Sequence, residues 1–120
     1  MKIVCFDFDG VIHSNKSGCK DHDFFKEIIP DPPVPGIKEE IDRIREAGYK
    51  VVVHSARCET INGALAVRRY LKDHKIVVDD ITGKKPHAYV TIDDRVIRFG
   101  GKAEGLLEQI ERFRTWVQGV

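Results

Sequence analysis

Two almost unbroken apolar runs, Ile3-Val4-Cys5-Phe6 and Val51-Val52-Val53, constrain this chain more than any other feature in it. A strand with one wet face alternates apolar and polar residues. A strand that is apolar on both sides must be covered on both faces, which is the habit of parallel sheets. Parallel neighbours need a crossover between them, and the sequence supplies one. Ile37, Ile41, Ile44 and Ala47 fall at helical spacing, and Gly48 stands where a helix takes its C-terminal glycine.

The alternation continues downstream. Thr60 is placed to cap a second helix running to about Asp73, with Ile61, Leu65 and Leu71 on or near one face. Residues 76–78 are expected as a short third strand, residues 89–92 as a fourth, and residues 96–99 as a fifth extended piece. Leu106, Ile110, Phe113 and Val117 mark a last amphipathic helix, with Leu107 and Trp116 flanking its stripe. Strands alternating with helices imply right-handed crossovers. The expected class is α/β, a three-layer α/β/α sandwich on a Rossmann-like, mainly parallel sheet. A chain of 120 residues with 42% hydrophobic content has material for one core and little for a second, so residues 1–120 are read as a single domain. Residues 13–35 break the pattern. Their end, Asp31-Pro32-Pro33-Val34-Pro35, forbids regular helix or central strand, so the segment reads as an insertion or flap closing in a stiff extended connector.

Composition narrows the partners. With 20 basic and 19 acidic side chains the net charge is +1, so no field of one sign advertises a membrane, and nucleic acid is not indicated. Cys5, Cys19 and Cys58 are an odd number at unrelated spacings, which suits a reducing cytosol better than a disulfide framework. There is no signal-like opening and no apolar run of bilayer length, so a soluble cytoplasmic protein is expected.

In parallel sheets, ligands bind beyond the carboxyl ends of the strands. Asp7, Asp9, Ser55, Asp93 and Asp94 all lie at or just past the ends of expected strands. Asp7 and Asp9 are two apart on extended backbone and so point to one side, and Gly10 lets the chain turn beside them. Crowded carboxylates repel each other, and a hard divalent cation with oxygen ligands relieves them; magnesium (Mg2+) is the expected ion. It would also admit a substrate phosphate that the acidic rim otherwise rejects. Ser55 offers a hydroxyl, Lys85 a fixed positive charge, and the amides after Ser55 further donors. This bookkeeping favours phosphate held between metal, lysine and hydroxyl, with an Asp oxygen in line for attack. Singly, each signal is ordinary. An Asp-Gly after a strand is usually a turn, an Asp-Asp pair a solvated strand end, and His13, Cys19 and His22 a weak zinc pattern without a second pair. Their joint order carries the weight.

At these residues the chain resembles the haloacid dehalogenase (HAD) superfamily, in its phosphatase branch with little or no cap. The resemblance runs from Asp7-Phe8-Asp9-Gly10-Val11 through Val53-His54-Ser55 and Lys85-Pro86 to Ile92-Asp93-Asp94. It implies that Asp7 is a nucleophile forming an aspartyl-phosphate, and that Asp9 is the acid that protonates the leaving oxygen and then activates water. It implies phosphate binding by Ser55 and by Lys85, with Lys84 left open as the alternative lysine. It implies a metal set of Asp7, Asp9 through its backbone carbonyl, Asp94 as a direct ligand, and Asp93 in support. The stretch 13–35 is too short for a cap domain. The site is therefore expected to be open, admitting large substrates or borrowing a neighbouring subunit as lid, so a homo-oligomer stays open. Phe24 and Phe25 are expected to pack on the sheet ahead of touching substrate; Arg57, His87, Arg95 and Arg98 stand near enough to the motifs to help bind a second charged group, with solvated surface the expected role for most of them. The function implied is a magnesium-dependent phosphomonoester hydrolase, with a small phosphorylated molecule as foremost substrate. A catalytically weak phosphate- or metal-binding module, or a phosphatase of polynucleotide ends or phosphoproteins, are the alternatives. A phospho-accepting receiver domain is disfavoured, because its acceptor Asp should end a middle strand where this chain has Ser55.

Overall fold

The structure is a computed structural model and describes residues 2–17 and 26–116. In chain order the elements are β1 (Ile3–Asp7), α1 (Ile37–Glu46), β2 (Lys50–His54), α2 (Ile61–Asp73), β3 (Asp80–Thr82), β4 (Val90–Ile92) and α3 (Leu106–Arg112). The four strands form one sheet in the order β3-β2-β1-β4, and every pairing is parallel. This is the Rossmann-like α/β class that the apolar runs demanded. The chain steps outward from β1 to β3 and then returns across the sheet to β4, so the order reverses between β1 and β4. Such a reversal opens a crevice at the carboxyl ends of the strands.

The register explains why the two apolar runs are continuous. Val4 and Phe6 sit opposite Val51 and Val53, and all four join Ile41 of α1 and Val67, Tyr70 and Leu71 of α2 in one core. Cys5 and Val52, paired with each other, point to the opposite face and are buried as well. Each such side chain contributes about 1.5–3 kcal/mol by leaving water, and a polar residue in either run would lose that.

Both long helices end in the same device. After α1, Gly48 takes φ +99°; its N–H donates to the Arg45 carbonyl and the Tyr49 N–H to the Ile44 carbonyl, a Schellman motif. After α2, Lys75 takes φ +59° in the same role. Its N–H donates to the Lys72 carbonyl, and the Ile76 N–H to the Leu71 carbonyl at 2.8 Å. Ile76 is thereby drawn into the core as the apolar part of a helix cap. That corrects the expected third strand, which lies at Asp80–Thr82 and not at residues 76–78. The buried face of α2 also differs from expectation: it carries Gly63, Val67, Tyr70 and Leu71, while Ile61 and Leu65 are exposed. The N-terminal cap is as expected, with Thr60 Oγ1 accepting the Gly63 N–H at 3.0 Å.

Residues 96–99 form no strand, and Val96 and Phe99 are exposed. The Arg95 N–H turns back to the Asp93 carboxylate at 3.0 Å, and this local turn leads the chain off the sheet edge. Helix α3 stops at Arg112 and buries none of its residues, with Leu107 and Ile110 exposed; Val117 lies outside the described residues. No helix among the described residues is long and apolar enough to cross a membrane.

The segment after β1 folds inward. Phe8 through its carbonyl accepts the N–H groups of Ile12 and His13, and Phe8, Val11, Ile12, His13 and Ser14 are all buried. The proline-rich connector then lies along this turn: Ser14 N–H donates to the Pro32 carbonyl, and Val34 N–H to the Ile12 carbonyl. Cys19, His22, Phe24 and Phe25 lie outside the described residues.

Candidate active site

Because β2, β1 and β4 are adjacent and parallel, their carboxyl ends share one edge. Asp7 is the last residue of β1, Ser55 the first after β2, and Asp93 the first after β4. Carboxylate oxygens of Asp7, Asp93 and Asp94 all lie within 4.8 Å of one another. Burial, and next the negative charge of Asp93, push the Asp7 carboxyl up to about 7. Asp94 is raised too, mainly by burial with a further push from Asp93. Its Oδ1 is buried and has no hydrogen-bond partner. A buried carboxylate oxygen without a partner, on a residue that clusters with two other carboxylates, belongs to a donor set that fits a hard divalent cation such as magnesium.

Gly10 fits this cluster closely. Its φ is +88°, and a Cβ placed there would lie 2.3 Å from Asp94 Oδ2. Only a residue without a side chain lets the turn approach Asp94 in this way.

Asp9 stands apart from the three carboxylates. Its side chain is held by a fork from Arg57, with Nε to Oδ2 at 2.9 Å and Nη2 to Oδ1 at 3.1 Å. His13 Nδ1 adds a third bond to Oδ1 at 2.8 Å. The Asp31 backbone N–H donates to His13 Nε2 at 3.1 Å, so Nε2 is the bare nitrogen and Nδ1 carries the proton that Asp9 accepts. Burial would raise the Asp9 carboxyl, but these bonds from His13 and Arg57 outweigh it and hold the group below the ordinary carboxylate range.

Arg57 and His13 thus stand at the site in a role that the sequence did not reveal, as the groups that hold the Asp9 carboxylate. Arg57, expected on solvated surface, is 7% exposed and also donates from Nη1 to the carbonyls of Lys26 and Ile28 at 3.0 and 2.8 Å. His13 is fully buried between Phe8 and Tyr70, with ring centroids 5.7 and 5.5 Å away. Tyr70 in turn donates its hydroxyl to the Asp31 carbonyl at 2.9 Å. Both nitrogens of His13 are therefore committed to Asp9 and Asp31.

Ser55 is buried, and its Oγ accepts the Arg57 N–H at 3.1 Å, capping a short 3-10 turn over Ala56–Glu59. That bond uses the oxygen as acceptor and leaves the hydroxyl proton for another group. Lys84 and Lys85 are exposed, and neither forms an ion pair among the described residues. The positive charge of Lys85 bears on the Cys5 thiol, opposing the rise that burial imposes on it, and Cys5 shares a face of β1 with Asp7.

No family model matches the chain, and no curated protein does. Among solved structures, a chain of a Pnkp1/Rnl/Hen1 complex superposes with a TM-score of 0.52 at 21% identity, over 91% of this chain and 34% of its own length. A D,D-heptose 1,7-bisphosphate phosphatase from Burkholderia thailandensis gives a TM-score of 0.40 at 23% identity, over 68% of this chain and 52% of that one. The first likeness is one of fold. The present chain spans about a third of the length of the first neighbour and about half of the second.

Proposed function

We propose that this protein is a magnesium-dependent phosphomonoester hydrolase that works through a phosphorylated Asp7, as its resemblance to the haloacid dehalogenase superfamily implies. The observation that carries this reading is the meeting of Asp7, Asp93 and Asp94 at one sheet edge, with oxygens within 4.8 Å of one another. Asp7, Asp93 and Asp94 would hold the cation, together with the Asp9 backbone carbonyl. Bound there, it supplies positive charge that offsets the acidic rim as a phosphate approaches.

Asp7 Oδ attacks phosphorus, and the bond from phosphorus to the ester oxygen breaks. The departing alcohol takes a proton from Asp9. Water then attacks the phosphorus of the acyl phosphate and gives its proton to Asp9; the bond to Asp7 breaks and inorganic phosphate leaves. Ser55 and Lys85 bind the phosphoryl oxygens. The three hydrogen bonds on Asp9 favour its ionised form, which suits the water-activating half of this cycle. Its part as acid requires the carboxylate to come away from Arg57.

The test is hydrolysis across a panel of phosphate esters, with magnesium and with a chelator. Metal-dependent release of phosphate that Asp7→Asn abolishes is the expected result. Turnover that survives Asp7→Asn, or is indifferent to the chelator, rejects the reading.

A further inference from the structure

Trp116, the one tryptophan of the chain, is tied to the candidate site across 106 residues. Its indole N–H donates to the Gly10 carbonyl at 2.7 Å, and Gly10 is the residue packed against the Asp94 carboxylate. Thr115 before it is buried, at 6% exposure. The ring is therefore held by its nitrogen, beside a buried neighbour in the chain. Even so, Trp116 is 56% exposed. A tryptophan N–H usually finds its partner when the ring is buried. Here the polar edge is committed and the apolar surface is open.

The other large exposed aromatics near this end of the chain differ. Tyr89 already carries the Lys2 ammonium over its ring, 4.1 Å from the centroid, and Phe99 has no polar atom with which to be fixed. Among the described residues, Trp116 alone joins an open ring to a hydrogen bond on the loop that bears Asp9 and Gly10.

We propose that Trp116 is a specificity residue, a stacking wall for a flat ring in the alcohol part of the phosphoester, so that nucleoside monophosphates are selected over sugar phosphates that lack a base. This rests on the phosphatase reading above and names its substrate class. The chemistry is direct. A neutral aromatic face adds no charge to a rim crowded with carboxylates, every nucleobase presents a face that stacks on an aromatic side chain, and a ring already fixed loses little freedom when it binds.

Two measurements test it. In Asp7→Asn protein with magnesium, the fluorescence of the lone tryptophan is titrated with adenosine monophosphate and with ribose 5-phosphate. Saturable quenching by the first and none by the second is expected; equal responses overturn the proposal. In the active enzyme, Trp116→Ala is expected to lower the ratio of kcat/KM for adenosine monophosphate over ribose 5-phosphate about ten-fold, and Trp116→Phe to restore most of that ratio. A loss shared equally by both substrates means the indole only supports the fold, and overturns the proposal. If Trp116→Ala does not fold, Trp116→Phe and the titration still decide. Absence of any hydrolysis by wild type rejects the phosphatase reading, whereas the quenching result still reports on the ring.

Discussion

Replacing Arg57 by alanine should cost this protein far more than the loss of a surface arginine. The side chain is 7% exposed, and its guanidinium makes two bonds to Asp9 and two to the carbonyls of Lys26 and Ile28. Removing one partner of a buried ion pair typically costs about 3–5 kcal/mol, because the other charge stays behind without compensation. Asp9 is 32% exposed and keeps His13, so water can reach its carboxylate and the low end, about 3 kcal/mol, is expected. For a domain of this size that lowers Tm by roughly 10–15 °C. Urea denaturation should show a lower midpoint at unchanged slope. Arg57→Lys should recover little, because one ammonium cannot span a carboxylate fork and two carbonyls. In a cycle with Asp9→Asn, the double variant should be more stable than the sum of the single losses by about 1 kcal/mol or more. A cost for Arg57→Ala below about 1 kcal/mol, the range of exposed pairs, combined with additivity in the cycle, would refute the reasoning.

Three further outcomes are expected. Gly63→Ala lies inside a helix, where alanine normally gains about 1 kcal/mol over glycine; here its Cβ would fall 1.9 Å from the Arg57 carbonyl oxygen, so urea melts should show a net loss of about 1–3 kcal/mol. Gly10→Ala should cost about 1–2 kcal/mol for its positive φ. It should also raise the magnesium concentration for half-maximal activity about ten-fold, since Asp94 must move; an unchanged metal dependence counts against the assigned cluster. Asp79 is held below the ordinary carboxylate range first by its bond from Arg45 and then by the Val51 N–H. The stability it adds is present above its unfolded pKa of about 3.9 and lost as pH falls through its lower folded value. Asp79→Asn should therefore cost about 0.5 kcal/mol at neutral pH, discounted for solvent exposure, and flatten the loss below about pH 4; a stability-pH curve identical to wild type would contradict it.

What could be read from residues was what depends on local pattern. Continuous apolar runs and helical spacing order the strands, and that order brings Asp7, Ser55 and Asp93 to one edge. Gly48 and Thr60 were legible as caps because their chemistry is local. The third strand was misplaced because Ile76 is apolar for a tertiary reason, the closing of a helix end, and because Lys75 adopts a conformation usually left to glycine. Arg57 was unreadable as a clamp since its partner stands 48 residues away, and an Arg after a strand looks like any solvated cation. His13 was hidden in the same way. Its environment comes from Asp9, Asp31 and Tyr70, which only the folded chain assembles.

The connector that lies along Ile12 and Ser14 has a one-sided consequence. Since the Pro32 carbonyl and the Val34 N–H both point inward, the amide position that faces out is that of residue 33, and residue 33 is proline. The outer rim of this strip offers an acceptor and no donor. An incoming extended peptide would find no ladder to continue there, so the molecule has a ragged margin that resists self-stacking without spending a single charge on it.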